Sequence, residues 1–230
     1  MGWFGPDEAA ALILSFKVAG WAVVLSLPLG ILAAYALARW QFPGKQVLNG
    51  LIHLPLVLPP VVTGYLLLVT FGQSAPLGRF LGEFGIVFAF RWTGAALAAA
   101  IMAFPLMVRA IRLSLEAVDP KLEQAAETLG APPSKRFLTI TLPLCLPGIL
   151  TGAVLAFAKA MGEFGATITF VSNIPGQTQT IPSAIYAFLQ VPGAEASAWR
   201  LVVLSLVVAF GALLISETLG RRAARWVSGR

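Results

Sequence analysis

Five apolar stretches, each long enough to cross a lipid bilayer, limit what this chain can fold into more than any other feature. They cover residues 9–38, 47–71, 92–111, 142–171 and 199–219. A helix of about 20 apolar residues crosses a hydrocarbon core of ~30 Å. Charged residues make up only 11% of the sequence, against about 25% in soluble domains. We therefore predict an all-α polytopic membrane protein with about five transmembrane helices, forming one domain over residues 1–230.

Prolines interrupt two of these stretches. The second contains Pro55, Pro59 and Pro60, and the fourth begins with Pro143 and Pro147. Proline removes a backbone donor and kinks or breaks a helix. A break inside the membrane is tolerated where the freed backbone groups face protein or water. The second stretch is therefore expected to be a broken helix, and the fourth to be kinked near its start.

Basic residues are distributed unevenly between the loops. One set of alternate loops, together with the C-terminal tail, holds eleven of them: Arg39, Lys45, Arg109, Arg112, Lys121, Lys135, Arg136, Arg221, Arg222, Arg225 and Arg230. The opposite loops hold Arg79, Arg91 and Arg200. Because basic loops stay in the cytoplasm, we expect an outside N-terminus, a cytoplasmic C-terminus, a cytoplasmic loop at 112–141 and a periplasmic loop at 171–198. This distribution also accounts for the net charge of +6 without a nucleic-acid partner.

Residues able to carry out chemistry are scarce. Cys145 and His53 are each the single residue of their type, so neither an intrachain disulfide nor a Cys/His metal site is expected. The phosphate-cradling pattern G-x-x-x-x-G-K-[ST] is missing from the sequence. We predict no catalytic site, metal or cofactor on this chain. No removable signal peptide is expected either, since a basic region followed by a small-residue cleavage site is missing.

Loop 112–141 carries the signals of a short capped helix. Asp119 is a suitable N-cap, Pro120 suits the first helical position, and Gly130 supplies a left-handed C-terminal cap. Four apolar residues fall on one face of this helix, at spacings i, i+3, i+4 and i+7: Leu122, Ala125, Ala126 and Leu129. A second short helix is expected from Ser134.

The first of these helices is expected to dock on a soluble protein. At about ten residues it is too short to be stable alone in water. Glu116, Asp119, Glu123 and Glu127 lie in or beside it, and acidic residues are unsuited to anionic lipid headgroups. We therefore favour docking over the alternative, an amphipathic connector lying on the membrane surface.

The same loop resembles the EAA loop of binding-protein-dependent ABC importer permeases. The resemblance rests on Gln124-Ala-Ala-Glu-Thr-Leu-Gly130, on Ile140-Thr-Leu-Pro143 and on the spacing between them. Gln124 stands where the family pattern has glutamate, which removes one charge. The resemblance implies a coupling helix seated in a groove of a cytoplasmic ATPase subunit. The implied coupling residues are Asp119, Leu122, Glu123, Gln124, Ala125, Ala126, Glu127, Leu129, Gly130 and Ala131.

A second segment is similar to molybdate permeases, through Gly162-Glu-Phe-Gly165, Ser172-Asn-Ile-Pro-Gly176 and Thr180-Ile-Pro182. This resemblance implies a type I ABC importer permease (MetI-like) fold and a homodimer in the bacterial inner membrane. The implied partners are two cytoplasmic ATPase subunits, which bind ATP and Mg²⁺, and a periplasmic or lipid-anchored molybdate-binding protein. The permease would form the translocation pathway for molybdate by alternating access.

Lys159 and Glu163 lie four residues apart in the fourth stretch, so they share a helix face and can pair. A charge exposed near the bilayer centre costs ~2.5–3.5 kcal/mol, so such residues normally face the bundle interior or water. Two interpretations stay open: the pair lines or gates the path, or it locks the stretch to a neighbouring helix. The pathway and gate candidates are Lys159, Glu163, Phe164, Thr167, Thr169, Ser172 and Asn173. Lys17, in the first stretch, is expected to extend its amine to the outer interface.

Loop 171–198 begins with polar residues and no basic ones: Ser172, Asn173, Gln177, Thr178, Gln179, Thr180 and Ser183. We expect them to shape a docking surface and outer gate rather than to bind an oxyanion.

Other functions remain as alternatives. Within the same class, a sulfate, thiosulfate or tungstate permease has similar features. From another class, a stand-alone secondary transporter or channel predicts titratable groups in several spans and no need for a cytoplasmic docking helix. A membrane-embedded enzyme fits less well, because paired catalytic groups are missing from the sequence.

Overall fold

The structure, a computed structural model, describes residues 5–228, with only the backbone described for Leu219 and residues 221–228. Over these residues it is all-helical. The helices are α1 Pro6–Arg39, α2 Lys45–Val57, α3 Pro60–Phe71, α4 Pro76–Glu83, α5 Trp92–Glu116, α6 Pro120–Thr128, α7 Pro133–Arg136, α8 Leu142–Met161, α9 Gly165–Val171, α10 Ile181–Phe188 and α11 Glu195–Ser228. A π-helical turn, Phe137–Thr141, joins α7 to α8.

The prediction of about five membrane spans is confirmed for the described residues. Four helical runs are long and apolar enough to cross a bilayer, and the pair α2–α3 is a fifth if its two halves count as one span. That pair bends by 113° at its break, immediately before Pro60. The second stretch is therefore a broken helix, as its prolines indicated.

The fourth stretch departs from the prediction at both ends. The helical run that contains α8 begins at Pro133, not at 142, and it stops at Met161. The last bond of α8 is made by the Gly162 N–H, which donates to the Ala158 carbonyl at 3.3 Å. Helix resumes at Gly165 as α9. The prediction of one continuous span over 142–171 was thus wrong, because the segment between Met161 and Gly165 interrupts the helical hydrogen bonds.

The core is built around α5, which packs against both α1 and α8. Ala95, Ala98 and Ala99 of α5 are fully buried. At the crossing of α5 and α8, Gly148 lies against Ser114, and its missing side chain lets the two backbones approach closely. Small residues are typical of such membrane-helix crossings.

Basic residues gather at the end of the molecule that carries α6. Arg39 and Arg136 both contact α6, and Arg112 donates to the Asn49 side chain at 3.1 Å. Arg230 lies outside the described residues. For Arg221, Arg222 and Arg225 the structure describes the backbone but not the side chains. At the opposite end, Arg200 of α11 forms a 2.6 Å ion pair with the buried Glu8 of α1.

Candidate functional site

The helix predicted in loop 112–141 is confirmed as α6, which has nine residues. The Asp119 side chain caps it by accepting from the Lys121 N–H at 2.9 Å. At its end, Gly130 has φ +80°. The Ala131 N–H donates to the Ala126 carbonyl at 3.0 Å, and the Gly130 N–H donates to the Glu127 carbonyl at 2.9 Å. This pair of bonds is the Schellman arrangement that terminates many helices, so both ends of α6 are fixed by its own sequence.

The apolar stripe of α6 faces away from the rest of the chain. Leu129 is 87% exposed and Leu122 is 47% exposed, and Ala125 is exposed as well. Ala126, the fourth member of the predicted stripe, is half-buried. Two large apolar side chains exposed on a helix outside the membrane spans mark a candidate docking surface.

The opposite side of α6 is attached to the membrane helices by charge. Arg39, in the last turn of α1, donates to the Glu123 carboxylate at 3.2 Å and to the Val118 carbonyl at 3.3 Å. Thr141, just before α8, donates to the same Glu123 oxygen at 2.8 Å. Glu123 therefore connects α6 to both α1 and α8, and its ion pair with Arg39 is largely shielded from solvent.

A second ion pair joins α6 to the segment that follows it. Arg136 of α7 contacts the Glu127 carboxylate at 2.6 Å. The sequence indicated Glu123 and Glu127 as candidate coupling residues, but it gave no sign of their partners. Arg39 is 84 residues away from Glu123 along the chain, so only the three-dimensional structure reveals that they form a pair.

The predicted pairing of Lys159 with Glu163 is confirmed, although the two residues do not share one helix. Lys159 lies in the last turn of α8, and Glu163 lies in the break between α8 and α9. The Lys159 amine donates to one Glu163 oxygen at 2.7 Å. The other Glu163 oxygen accepts from the Ala166 N–H at 3.0 Å, in the first turn of α9. Glu163 is 3% exposed, and both of its oxygens are satisfied.

The remaining pathway candidates lie on or beside α9. Thr167 donates to the Phe164 carbonyl and Thr169 to the Gly165 carbonyl, both at 2.9 Å. The Phe164 ring packs against the Tyr186 ring, with centroids 5.2 Å apart. The two threonine hydroxyls are thus engaged within α9 itself.

Ser172 ends α9 with φ +64° and ψ −166°. This backbone region is nearly restricted to glycine, and it costs a residue of any other type about 1–3 kcal/mol. Asn173 follows, and its amide donates to the Ser183 carbonyl at 3.4 Å. The structure therefore places a strained turn at the end of the broken span.

Most of the polar residues expected on the outer surface of loop 171–198 are buried. Ser172 and Gln177 are exposed, Asn173 is half-buried, and the other four are buried: Thr178, Gln179, Thr180 and Ser183. Thr178 accepts from the Ile174 N–H at 2.9 Å and so closes the turn. Thr178, Thr180 and Ser183 make hydrogen bonds within the loop, as buried polar groups normally do.

The helix breaks in α2–α3 and between α8 and α9 lie next to each other. Gly64 of α3 lies directly on the Ala166 backbone and the Thr169 side chain of α9, with no room for a Cβ atom. Gly165 lies against Pro60 in the same way. The break in α2–α3 and the break between α8 and α9 therefore form one connected region that includes Glu163.

The sequence and the fold are both similar to those of known membrane transport proteins. Residues 26–225 match the model of the family described as "Binding-protein-dependent transport system inner membrane component". The molybdenum transport system permease protein ModB of Escherichia coli (strain K12) is 62% identical over 215 residues, covering 93% of this chain and 94% of the relative. ModB of Haemophilus influenzae is 57% identical over 216 residues, covering 94% of each. The sulfate transport system permease protein CysT of Salmonella typhimurium is 34% identical over 220 residues, covering 94% and 79%. Among solved structures, a bacterial ABC transporter involved in alginate import has a TM-score of 0.74 at 18% identity, covering 95% of this chain and 80% of that one.

Proposed function

The chain belongs to the family of binding-protein-dependent transport system inner membrane components, and we propose that it is the membrane-spanning permease subunit of an ATP-driven molybdate importer. The expected type I ABC importer permease fold is confirmed. The observation that carries the proposal is α6, a capped helix outside the spans whose apolar residues Leu122 and Leu129 are exposed while Glu123 ties it to the membrane helices.

The substrate is proposed from the pattern of similarity. The chain is 62% identical to a permease named for molybdenum transport and 34% identical to one named for sulfate transport. This difference favours molybdate over sulfate or thiosulfate. Tungstate has nearly the same size and charge as molybdate and remains a second substrate to test.

A second copy of the chain is the proposed partner within the membrane. Five spans do not easily enclose a path for a solute. Large apolar side chains of α3, including Val61, Tyr65 and Val69, are more than half exposed. They lie on the same helix that contacts α9 through Gly64. A homodimer formed near α3 would bring two copies of the connected breaks to one central path.

The remaining partners follow from the position of α6. We place α6 in the cytoplasm, because it shares its end of the molecule with Arg39, Arg112 and Arg136 and basic residues favour the cytoplasmic side. There it would dock on an ATPase subunit that binds ATP and Mg²⁺, one for each permease copy. The N-terminus would lie outside, where a molybdate-binding protein delivers the substrate.

The proposed mechanism is alternating access. ATP drives a conformational change only if it binds one state more tightly than the other. Closure of the two ATPase subunits would draw the α6 helices together. Through Glu123, each α6 would then move the ends of α1 and α8, shutting the inner mouth and opening the outer one.

The test of this function is ATPase activity in proteoliposomes containing the chain and the ATPase that co-purifies with it. Molybdate-loaded binding protein is expected to stimulate hydrolysis, and sulfate is expected to have no such effect. Equal stimulation by both anions would keep the importer and reject the molybdate assignment. Failure of any ATPase to co-purify would contradict the permease assignment and favour a stand-alone transporter.

Replacing Glu123 with Gln, or Arg39 with Met, is expected to lower molybdate transported per ATP hydrolysed by roughly tenfold. A hydrogen bond to a charged group contributes about 1.5–3 kcal/mol, so its loss loosens α6 from α1. Assembly with the ATPase should persist, because the exposed face of α6 is unchanged. Glu116→Gln is the matched control: it removes the charge of the exposed pair with Arg112 at the same end, keeps the bond from Arg112 to Asn49, and should leave the ratio near that of the wild type. A wild-type ratio in Glu123→Gln would remove Glu123 from the coupling mechanism.

Replacing Glu163 with Gln is expected to change transport or its coupling to ATP while the complex still assembles. Glutamine keeps an oxygen for the Ala166 N–H but leaves the Lys159 amine without its counter-charge. Transport rate and thermal stability, measured together, separate the two interpretations of the pair. If the pair is purely structural, the double variant Lys159→Met/Glu163→Gln recovers the thermal stability lost in Glu163→Gln. Transport then stays normal in both the single and the double variant. In a gating pair, transport stays altered in the double variant.

A further inference from the structure

A polar cavity lies beside Lys17, on the side of the molecule opposite to α6. It has a volume of about 740 Å³ and is lined by α1, by residues 85–93 and by the turn at Gly176 and Gln177. Its lining contains two cations, Lys17 and Arg91, and the amides of Gln73 and Gln177. None of its lining residues is acidic, so the cavity has a positive potential.

Neither cation is neutralised by the protein. Within residues 5–228, the Lys17 and Arg91 side chains form no ion pair or hydrogen bond. The Lys17 amine instead lies 3.7 Å from the centre of the Trp92 ring. A cation–π contact holds an ammonium group in place without cancelling its charge. Lys17 therefore does more than extend towards water, which was the expectation from the sequence.

The cavity lies at the depth of the outer membrane–water interface. Lys17 precedes Arg39 by 22 residues of α1, about 33 Å at ~1.5 Å per residue. Trp92 precedes Arg112 by 20 residues of α5, about 30 Å. These lengths match the hydrocarbon thickness of ~30 Å. With Arg39 and Arg112 at the inner interface, Lys17 and Trp92 reach the level of the outer headgroups.

We propose that this cavity is a binding site for a phosphate-type oxyanion group. Guanidinium, ammonium and amide donors are the groups that recognise tetrahedral oxyanions. Such a group is available from two sources: the headgroup of an anionic phospholipid, and a free oxyanion arriving from outside. The lipid source is reachable because the same edge of α1 exposes Ile13, Phe16 and Trp21, where acyl chains would lie. The site is distinct from the Glu163 region, and its existence does not depend on the proposed transport function.

The test is calorimetric titration of the full-length chain in a non-ionic detergent, without ATP. One arm uses short-chain phosphatidylglycerol, with short-chain phosphatidylcholine as the neutral comparison. The other arm uses inorganic phosphate and molybdate. The variant Lys17→Gln/Arg91→Gln is expected to bind the anionic probe at least about tenfold more weakly than the wild type. The charge-retaining variant Lys17→Arg/Arg91→Lys should bind nearly normally, and Arg79→Gln, an outer arginine that does not line the cavity, should behave as wild type.

Each outcome decides the proposal. Variant-sensitive binding of phosphatidylglycerol assigns the site to a lipid headgroup, and variant-sensitive binding of phosphate or molybdate assigns it to a free oxyanion. Binding of every probe that is unaffected by the double variant overturns the site. If the double variant fails to fold, Arg91→Gln alone carries the test, with an expected loss of about threefold.

Discussion

Replacing Leu129 with Asp is expected to abolish association of the chain with the proposed ATPase subunit. Leu129 is 87% exposed at the end of α6, so the substitution removes no contact within the chain. Full burial of a leucine side chain stabilises a complex by about 1.5–3 kcal/mol, and a carboxylate in the same apolar groove adds a desolvation penalty. Together these effects weaken binding by roughly a thousandfold, since 1.4 kcal/mol is tenfold.

Co-purification of the ATPase and its hydrolysis rate measure this loss. Leu77→Asp is the matched control, because Leu77 is an exposed leucine of α4, outside loop 112–141, and its substitution should leave the complex intact. A Leu129→Asp variant that assembles and transports like the wild type would mean that α6 is not the docking helix.

The second large effect is expected from Gly148→Val. A Cβ atom at Gly148 would overlap the Ser114 side chain and press on the Ala110 carbonyl of α5, which lies 3.1 Å away. Valine adds two further methyl groups, so α5 and α8 must separate. Overpacking typically costs 1–3 kcal/mol, and we expect about 3 kcal/mol or more here because backbone atoms cannot rotate away.

Thermal unfolding in detergent measures the cost. Gly211→Val in α11 is the matched control, since a Cβ at Gly211 has no atom within 4 Å. That variant should unfold close to the wild-type temperature. Equal destabilisation by the two substitutions would indicate a general intolerance of valine in these helices and not a close crossing at Gly148.

The features that were predictable from the sequence are those encoded locally. The membrane spans follow from apolar length, and α6 follows from Asp119, Pro120 and Gly130, which all act within a few residues of their own position. Each of these signals describes one helix and its ends. Their agreement with the structure reflects short-range chemistry that tertiary contacts did not override.

The features that were missed depend on contacts between distant segments or on breaks hidden in apolar sequence. Arg39 and Glu123 are far apart in the chain, and neither carries a sign of its partner. The break after Met161 lies in a stretch that is apolar or small apart from Lys159, Glu163 and a few threonines, so apolar length alone extended the span to 171. Gly162 and Gly165 were the available signals, and the bond from Ala166 to Glu163 shows why the helix restarts there.

The way in which α6 is attached predicts that coupling between ATP hydrolysis and transport depends on ionic strength. Two ion pairs hold α6, Arg39 of α1 with Glu123 and Arg136 of α7 with Glu127, in addition to the bond from Thr141 to Glu123. Its outward face is apolar. Dissolved salt screens exposed charges over a Debye length of ~8 Å at 0.15 M and shielded pairs much less, so it acts mainly on Arg136 and Glu127, whose carboxylate side chain is 64% exposed. Salt leaves apolar contacts intact or strengthens them. As salt rises, α6 would stay docked on its partner and keep its shielded bonds through Glu123, while its attachment to α7 weakens. High salt would then lower the amount of substrate transported per ATP hydrolysed, while ATP hydrolysis itself continues.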